Sequence, residues 1–250
     1  MRVIKIGGNE LSDAEFLAQL ARDVRFLQTE TAVPVIIVHG GGRAIGDLQA
    51  QLGLAPVKVD GLRVTDKASL HVAEMVLSGH SNKLIVKALL HAGVDALGLS
   101  GVDGGILRAQ KKPHPQADLG YVGEIVAVRT DLLLQLGGMG VTAVLSPISL
   151  GVDGFTYNVN ADEAAAAVAE ALHAEQLDFI SNVPGVLADD VVVPHLTPQE
   201  TQALIADGTI SGGMIPKVSA ALNAVERGVR QARIVNLSGL TADGGTIFKV

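Results

Sequence analysis

The segment that most constrains this chain is a short apolar run that leads directly into three glycines. Residues 35–38 read Val-Ile-Ile-Val, and Gly40, Gly41 and Gly42 follow after one histidine. A continuous β-branched run of this length is typical of a parallel strand buried on both faces. Apolar residues at helical spacing come next, so the glycines lie between a strand end and a helix start. Such a turn exposes backbone N–H groups and a helix dipole to negative charge. It predicts an anion site, with a glycine-rich turn that binds nothing as the alternative.

Strands and helices alternate along the chain. Short apolar runs predict strands at 2–6, 35–39, 95–100, 141–145, 177–180, 232–237 and 246–249. Helices are predicted at 12–28, 66–78, 82–92, 162–173 and 215–227, with capping boxes at 12–15 and 197–200, a break at Gly79 and a short helix capped by Thr130. Residues 57–66 read as a loop, and residues 106–109 and 121–128 as an antiparallel hairpin. This alternation predicts an α/β fold with a mostly parallel sheet between helical layers.

Composition narrows the classes of function. No apolar run approaches the roughly 18 residues that span a membrane, and the N-terminus lacks a signal-peptide layout. The chain has no cysteine, carries a net charge of −7 and shows no stripe of basic and aromatic residues. Nucleic acid and membranes are therefore not expected partners, and a cytoplasmic protein is expected. The P-loop, dinucleotide-binding, HExxH and Gly-x-Ser-x-Gly motifs are also absent.

Three polar residues stand where an acidic ligand could bind. Lys5 interrupts the apolar strand 2–6, and a charge there must reach an anion or water. Arg63 has the planar fork that clamps a carboxylate, and Asn158 precedes a predicted helix start. The alternatives are a lysine that snorkels to solvent and a solvated arginine. Asn160 or Asp162 could likewise be only helix-capping or first-turn residues.

Lys217 is placed against the local electrostatics of its helix. It follows Pro216 in a predicted first turn, where a cation opposes the helix dipole by some tenths of a kcal/mol. An anionic ligand shared by the lysine and the helix amides would reverse that effect. Residues 181–186 follow a buried strand and could wrap a nucleotide or form a plain loop.

Taken together, eight segments resemble the motifs of the amino acid kinase family, and they occur in the family's order. They are residues 4–8, 38–42, 61–66, 74–79, 82–83, 98–101, 158–162 and 212–217. The resemblance implies one domain over 1–250, a three-layer αβα sandwich with an open, mostly parallel eight-stranded sheet. It places an acyl substrate on a lobe formed by 1–175 and ATP on a lobe formed by 176–250.

The branch of the family that these motifs resemble transfers the γ-phosphoryl group of ATP to the side-chain carboxylate of N-acetyl-L-glutamate. The product, N-acetyl-L-glutamyl 5-phosphate, is an intermediate of arginine biosynthesis. Such an acceptor is already a nucleophile, so the site needs positioning and charge stabilisation rather than a general base. The resemblance implies that Lys5 and Lys217 stabilise the transferring phosphoryl and that Asp162 holds both lysines.

The resemblance also assigns the binding residues. For the acyl substrate they are Gly41, Gly42, Arg63 and Asn158. For ATP they are Gly8, Ser181, Asn182, Val183, Pro184, Gly185, Val186, Thr209, Ile210, Ser211, Gly212, Gly213, Met214, Ile215 and Pro216. Mg²⁺ is expected to arrive with ATP, bound through the phosphates and without a direct protein ligand.

Two alternatives remain at this point. Ser181-Asn182 stands where the family commonly has Thr-Asp, and Ser-Asn resembles the related kinase for carrier-bound α-aminoadipate or glutamate in lysine biosynthesis. A non-catalytic effector-binding protein on the same fold is the other. Because the chain begins almost at its first strand, without the extra helix of arginine-inhibited hexamers, a homodimer without strong arginine feedback is expected. A PII-type regulator occurs in some relatives, and the sequence does not decide for or against it.

Overall fold

The structure, a computed structural model, describes residues 1–59, 62–242 and 244–249. The strands of this part are β1 (Arg2–Ile6), β2 (Val35–His39), β3 (Lys58–Val59), β4 (Leu62–Arg63), β5 (Ala96–Ser100), β6 (Leu107–Lys111), β7 (Val122–Val128), β8 (Thr142–Ser146), β9 (Ile148–Gly151), β10 (Thr156–Val159), β11 (Gln176–Ser181), β12 (Leu187–Ala188), β13 (Val191–Val192), β14 (His195–Leu196), β15 (Ala232–Asn236) and β16 (Thr246–Phe248). The α-helices are α1 (Ala14–Glu30), α2 (Gly42–Gln51), α3 (Lys67–Glu74), α4 (Asn82–His91), α5 (Thr130–Gly138), α6 (Ala161–Ala171), α7 (Pro198–Ala206) and α8 (Met214–Glu226).

A central sheet of eight described strands organises the fold, in the order β14-β16-β15-β11-β1-β2-β8-β5. Neighbouring strands run parallel except at the β15–β16 pair. The predicted mostly parallel, eight-stranded α/β sheet is therefore confirmed. The chain leaves β1 toward β2 on one side and later returns through β11 on the other. In open α/β sheets, ligands bind outside the carboxyl ends of the strands at such a switch point.

The residues of β1 alternate between two cores because successive side chains of a strand point to opposite faces. Val3 packs in the cluster that includes residues of α6 and α8. Ile4 and Ile6 pack in the other cluster, with residues of α1 and α4. Lys5, between Ile4 and Ile6, therefore faces the layer that contains α6. This alternation decides which helix can supply a partner for its ammonium group.

A small barrel stands beside the sheet. The predicted antiparallel hairpin is confirmed as β6 and β7, although its register shifts between Arg108 and Ala109. Strands β9 and β10, which the sequence reading did not separate, close the barrel in the order β10-β7-β6-β9. The hairpin alone could not reveal this closure, because it depends on pairings between distant segments.

The predicted helix break at Gly79 is wrong. Residues 67–91 stay helical throughout, with a π-helical segment, Met75–Ser81, between α3 and α4. The wider turn absorbs an extra residue without ending the helix, and a single glycine is tolerated in a helix. π-helical segments occur frequently at functional sites.

Three smaller expectations also change. Asp13, rather than Ser12, caps α1, since its side chain accepts from the backbone N–H groups of Glu15 and Phe16. Arg129 occupies the capping position of α5, and Thr130 is already helical. The loop expected at 57–66 contains the short β3–β4 hairpin, and Asp60 and Gly61 within it lie outside the described residues. The capping box at 197–200 is confirmed.

A buried ion triad fastens the amino ends of three central strands. The fully buried Asp178 on β11 lies 2.5 Å from Arg2 Nε on β1 and 2.6 Å from Arg233 Nε on β15. Both arginines also donate to the carbonyl of Leu240, and Arg233 donates to those of Ala242 and Gly244. The triad thereby holds the segment that leads into β16.

Among the described residues, no helix has both the length and the apolar character that a membrane crossing requires.

Replacing Asp178 with alanine is expected to lower the free energy of unfolding by about 3–5 kcal/mol, because it leaves buried guanidinium groups without their counter-charge. Urea unfolding followed by circular dichroism measures this change. The matched control is Glu170→Ala, whose ion pair with Arg227 is solvent-exposed and 3.7 Å long. Exposed pairs contribute about 0–1 kcal/mol. Equal losses for the two variants would contradict a structural role for the triad.

Candidate active site

A cavity of about 300 Å³ opens at the carboxyl ends of β1 and β2, beside the barrel and the start of α6. Its lining includes seven of the residues singled out from the sequence: Lys5, Gly8, Gly41, Gly42, Arg63, Asn158 and Asp162. These residues come from segments far apart in the chain. Gly8, which the sequence reading grouped with the nucleotide, therefore lies in the same cavity as the four residues expected to hold the acyl substrate.

Lys5 and Asp162 form the ion pair at the base of this cavity. Lys5 Nζ lies 2.8 Å from Asp162 Oδ1, and the lysine side chain is only 9% exposed. The pair is close in distance but is not aligned as a hydrogen bond. Asp162 therefore neutralises a lysine that would be costly to bury alone.

The start of α6 explains why Asp162 is available to Lys5. Asn160 caps the helix, because its side-chain oxygen accepts from the backbone N–H groups of Asp162 at 2.8 Å and Glu163 at 3.3 Å. Of the two residues considered as caps, Asn160 takes that role. Asp162 is a first-turn residue whose carboxylate reaches back to β1.

The first glycine turn, Gly7-Gly8 after β1, and the second glycine turn, residues 40–42 after β2, touch each other through their backbones. A Cβ atom on Gly8 would lie 2.4 Å from Gly41 Cα, and one on Gly41 would lie 2.7 Å from Leu77 Cδ2. A side chain at Gly8 would require the backbone to move, and one at Gly41 would require the buried Leu77 side chain to move. Gly41 caps α2 and Gly42 begins it, so their N–H groups have no partner within the helix. The arrangement suits the binding of oxyanions.

Two cations stand opposite each other on the β3–β4 hairpin. Lys58 pairs with Arg63 across the hairpin, and both line the cavity. Like charges directly opposite are unfavourable, so this pairing is consistent with an anionic ligand between them. Arg63 is fixed in place, since it donates to Gln49 Oε1 and, at 3.3 Å, to the carbonyl of Gly42. Lys58 and Gln49 are not predictable as site residues from the sequence, because neither belongs to a recognisable motif.

Asn158, on β10, brings an amide to the same cavity. Its Nδ2 lies 3.4 Å from Thr65 Oγ1, in a long hydrogen bond between the barrel and the segment that follows Arg63. The amide is therefore held at the wall of the cavity, with capacity left for further hydrogen bonds.

Lys217 approaches from the other half of the sheet. Its ammonium group donates to Ser181 Oγ at 3.0 Å, which ties the first turn of α8 to the end of β11. Burial and the charge of Lys5 lower the pKa of Lys217, while the charges of Asp162 and Glu10 raise it. The predicted lysines are thus close enough to repel each other. Glu10, which the sequence reading did not select, belongs to this electrostatic cluster.

The remaining residues predicted for the nucleotide differ in accessibility. Val186 and Ile210 lie in the hydrophobic core, and Gly185 is packed against Thr246 and Val192. These positions could contact a nucleotide only through the backbone. The exposed ones are Asn182, Pro184, Thr209, Ser211, Gly212, Gly213, Ile215 and Pro216, with Val183 and Met214 partly exposed.

The described residues supply no group of three or more histidine, aspartate or glutamate side chains that could hold a metal ion. The donors of the cavity are instead ammonium, guanidinium, amide and backbone N–H groups. Such a set suits phosphate and carboxylate oxygens rather than a resident metal.

These features define an open α/β protein in which cations and backbone amides converge on anions at the carboxyl ends of the central strands. The sequence matches the amino acid kinase family over residues 1–236. It is 55% identical to an acetylglutamate kinase of Roseiflexus castenholzii over 98% of this chain and 93% of the relative. It is 43% identical to an acetylglutamate kinase of Methanopyrus kandleri over the full length of both chains. A solved structure from Streptococcus mutans UA159 superposes with a TM-score of 0.83 at 30% identity, covering 99% of this chain and 98% of that one. The chain belongs to the amino acid kinase family.

His39 lies directly behind the second glycine turn. It is fully buried, with Nδ1 3.0 Å from the carbonyl oxygen of Gly40 and Nε2 3.2 Å from Asn82 Nδ2. Burial, aided by the charge of Lys83, lowers the pKa of His39 to about 4, and the hydrogen bond to Gly40 only partly opposes this. The imidazole is therefore neutral in the folded protein at physiological pH.

A neutral buried histidine makes the fold sensitive to acid. Its contribution to stability is complete above the unfolded pKa of 6.5, declines as the pH falls from 6.5 toward 4, and is lost below about 4. Through this residue the protein should be about 2 kcal/mol less stable at pH 5 than at pH 7. Urea unfolding at both pH values measures the difference. His39→Gln should reduce it by that amount, whereas the exposed control His91→Gln should not; an unchanged pH dependence in His39→Gln would contradict a buried neutral imidazole.

Proposed function

We propose that this chain is an ATP-dependent kinase that phosphorylates the side-chain carboxylate of N-acetyl-L-glutamate, a step of arginine biosynthesis. The observation that carries the proposal is the buried Lys5–Asp162 pair beneath two glycine turns, in a cavity that also contains Arg63. The extensive similarity to proteins named acetylglutamate kinase supports the choice of substrate.

The acceptor would bind in the cavity beside the barrel, in the lobe formed by residues 1–175. Arg63 would clamp its α-carboxylate, since its guanidinium group is held by Gln49 and Gly42 near the opening. Asn158 would hold a polar group of the amino acid from the barrel side. The N–H groups of Gly41 and Gly42 would donate to the oxygens of the side-chain carboxylate.

In the transfer step, a carboxylate oxygen attacks the γ-phosphorus of ATP, and the bond from that phosphorus to the β–γ bridging oxygen breaks. ADP leaves, and no proton needs to be removed from the acceptor. Lys5 and Lys217 would stabilise the negative charge of the transferring group from the two halves of the sheet, and Asp162 would keep them in place. Positioning and charge stabilisation then account for the chemistry, as expected for phosphoryl transfer.

The nucleotide would bind in the lobe formed by residues 176–250, along 181–186 and 209–216. The exposed turn before α8 and the polar end of β11 are its expected contacts, with Gly8 near the γ-phosphoryl group. Mg²⁺ would be bound by the phosphates, because the described side chains offer no preformed cluster for it. Its charge would offset that of the phosphate oxygens.

We also propose a homodimer that forms through β5. In the described part of the chain this strand pairs only with β8, so its other edge presents unpaired backbone groups. Its sequence contains neither charge nor proline, and Leu97 is 44% exposed. An uncharged edge of this kind is a template for pairing with a second strand.

The cytoplasmic location stays a prediction, and a PII-type regulator stays undecided.

The test of the reaction is ADP release from Mg-ATP with N-acetyl-L-glutamate, compared with free L-glutamate, L-aspartate and carrier-bound α-aminoadipate. Hydroxylamine traps the acyl phosphate and identifies the product. Turnover only with the acetylated acceptor is expected. Turnover only with carrier-bound α-aminoadipate would favour the other kinase reading of Ser181-Asn182, and binding without turnover would favour an effector-binding protein.

Replacing Lys217 with methionine should lower kcat by about 10²–10³-fold, the usual effect of removing one donor to a developing charge. The melting temperature should stay the same or rise, because burial and Lys5 disfavour the charge of Lys217 in the folded protein. Steady-state kinetics and thermal melting of the same preparation measure both effects. A loss of kcat accompanied by an equal loss of folded protein would contradict the assignment.

Replacing Leu97 with lysine should convert the dimer to a monomer, because a charge on the β5 edge opposes strand pairing. Light scattering coupled to size-exclusion chromatography measures the mass. Val126→Lys is the control, since Val126 is similarly exposed, at 45%, but belongs to the closed barrel. A dimer that persists in Leu97→Lys would place the interface elsewhere.

A further inference from the structure

The hydrogen bonds behind the second glycine turn determine which nitrogen of His39 carries the proton. Asn82 Nδ2 lies 2.9 Å from the carbonyl oxygen of Val144, 3.4 Å from that of Leu99 and 3.2 Å from His39 Nε2. The carbonyl oxygen of Gly40, 3.0 Å from Nδ1, can only accept. The Asn82 nitrogen offers two hydrogens to these three acceptors and presents no acceptor to a proton on Nε2. The proton of the neutral ring therefore sits on Nδ1, and Nδ1–H donates to the carbonyl oxygen of Gly40.

The orientation of the Asn82 amide is itself fixed. Lys83 Nζ donates to Asn82 Oδ1 at 2.9 Å, which identifies that atom as the oxygen of the amide. A Cβ atom on Gly98 would lie 1.9 Å from Asn82 Oδ1, so a side chain there would displace the amide. Asn82 is fully buried at the point where the π-helical segment passes into α4. The absence of a side chain at Gly98 and the donor on Lys83 therefore favour a single orientation of the Asn82 amide.

The hydrogen bond from His39 Nδ1–H to the Gly40 carbonyl acts on the second glycine turn. Gly40 N–H donates to the carbonyl of Ile6 at 3.0 Å, so the residue is held from β1 on one side and from His39 on the other. The next two N–H groups, those of Gly41 and Gly42, belong to the cavity. The carbonyl of Gly41 accepts from Ile45 N–H at 3.0 Å and that of Gly42 from Arg63 at 3.3 Å, so the hydrogen bond of His39 fixes the remaining side of the turn, the Gly40 carbonyl.

We propose that His39 is a positioning residue, whose Nδ1–H tautomer, selected by Asn82, holds the Gly40 carbonyl and thereby aims the amides of Gly41 and Gly42 at the reacting oxygens. The inference rests on the proposed function, because it assigns a purpose to those amides. His39 does not touch the substrate. Its effect passes through one backbone carbonyl and should appear in kcat more than in the KM for ATP.

Asparagine and glutamine substitutions separate the two nitrogens of the ring. An asparagine side-chain amide lies near the place of Nδ1, so His39→Asn can still donate to Gly40. A glutamine amide reaches the place of Nε2, so His39→Gln keeps a partner for Asn82 but loses the donor to Gly40. In His39→Asn, Asn82 retains the carbonyl acceptors of Val144 and Leu99. A role in packing alone would favour glutamine, which is closer to histidine in size.

The expected result is that His39→Gln lowers kcat by about 10–100-fold, the scale of a small misplacement of catalytic groups, while the KM for ATP stays nearly constant. His39→Asn should retain kcat within about threefold, since one net hydrogen bond is kept. Ser78→Ala is the control, because it removes the 2.8 Å contact with Ser146 from the same π-helical segment without touching Gly40. Thermal melting corrects each rate for loss of folded protein. A His39→Gln variant at least as active as His39→Asn would overturn the proposal.

A second measurement does not depend on turnover. Long-range ¹H–¹⁵N spectra of the wild-type protein at pH 7 distinguish a protonated ring nitrogen from a bare one, and the missing signals of His39→Asn identify the residue. The proposal requires a protonated Nδ1 and a bare Nε2. A proton on Nε2 would overturn it whatever the enzyme phosphorylates. If this tautomer is found but no acceptor is turned over, the proposed function fails while the assignment of the tautomer stands.

Discussion

The site depends on the repulsion between two ammonium groups, those of Lys5 and Lys217, that meet in one cleft. Lys5 is buried against Asp162, and Lys217 lies close enough for the charge of Lys5 to lower its pKa. Lys5, Lys58, Arg63 and Lys217 outnumber Asp162 and Glu10 around this cleft, so the free protein retains an excess of positive charge there. A phosphoryl group placed between Lys5 and Lys217 removes that repulsion, and the partial burial of both lysines strengthens the interaction. The stability given up in the free protein is thus recovered when an anion binds.

This electrostatic arrangement follows from simple features of the fold. Strand alternation turns Lys5 toward the layer of α6, while its apolar neighbours fill the opposite core. Asn160 satisfies the amides at the start of α6, so Asp162 is left to meet the lysine. β11 lies next to β1 and carries Ser181 to the point where Lys217 arrives from α8. Each contact comes from a different segment, and the switch in strand order at β1 brings them together.

The sequence allowed those parts of the fold to be predicted in which local pattern and tertiary environment agree. The strand at 35–39 and its glycine turn are confirmed, because a buried β-branched run followed by glycines has few other solutions. The closure of the barrel and the pairing of Lys58 with Arg63 were missed, since both depend on contacts between segments. Gly79 was read as a helix break, but packing of the π-helical segment on the glycine turn outweighs its local preference.

In the candidate site too, residues with a local sequence signal can be predicted, whereas residues whose role depends on distant contacts cannot. Residues with an unusual local context, such as Lys5 inside an apolar strand, are predicted from the sequence, and the structure places Lys5 in the cavity. His39 and Asn82 were not, because a histidine at a strand end and an asparagine in a helix have no local signature of their joint role.

Their chemistry nevertheless suits the electrostatics of the cleft. A charged imidazole behind the glycine turn would add a further cation to a region that already contains unbalanced lysines. Complete burial, aided by the charge of Lys83, lowers the pKa of His39 and keeps the ring neutral, so it fixes the backbone by a hydrogen bond without contributing charge. The protein can therefore rigidify the amides of the turn while leaving the balance of charge to Lys5, Lys217 and Asp162. Because His39 is neutral, it can hold the backbone of the turn without changing the electrostatic interactions among the charged side chains.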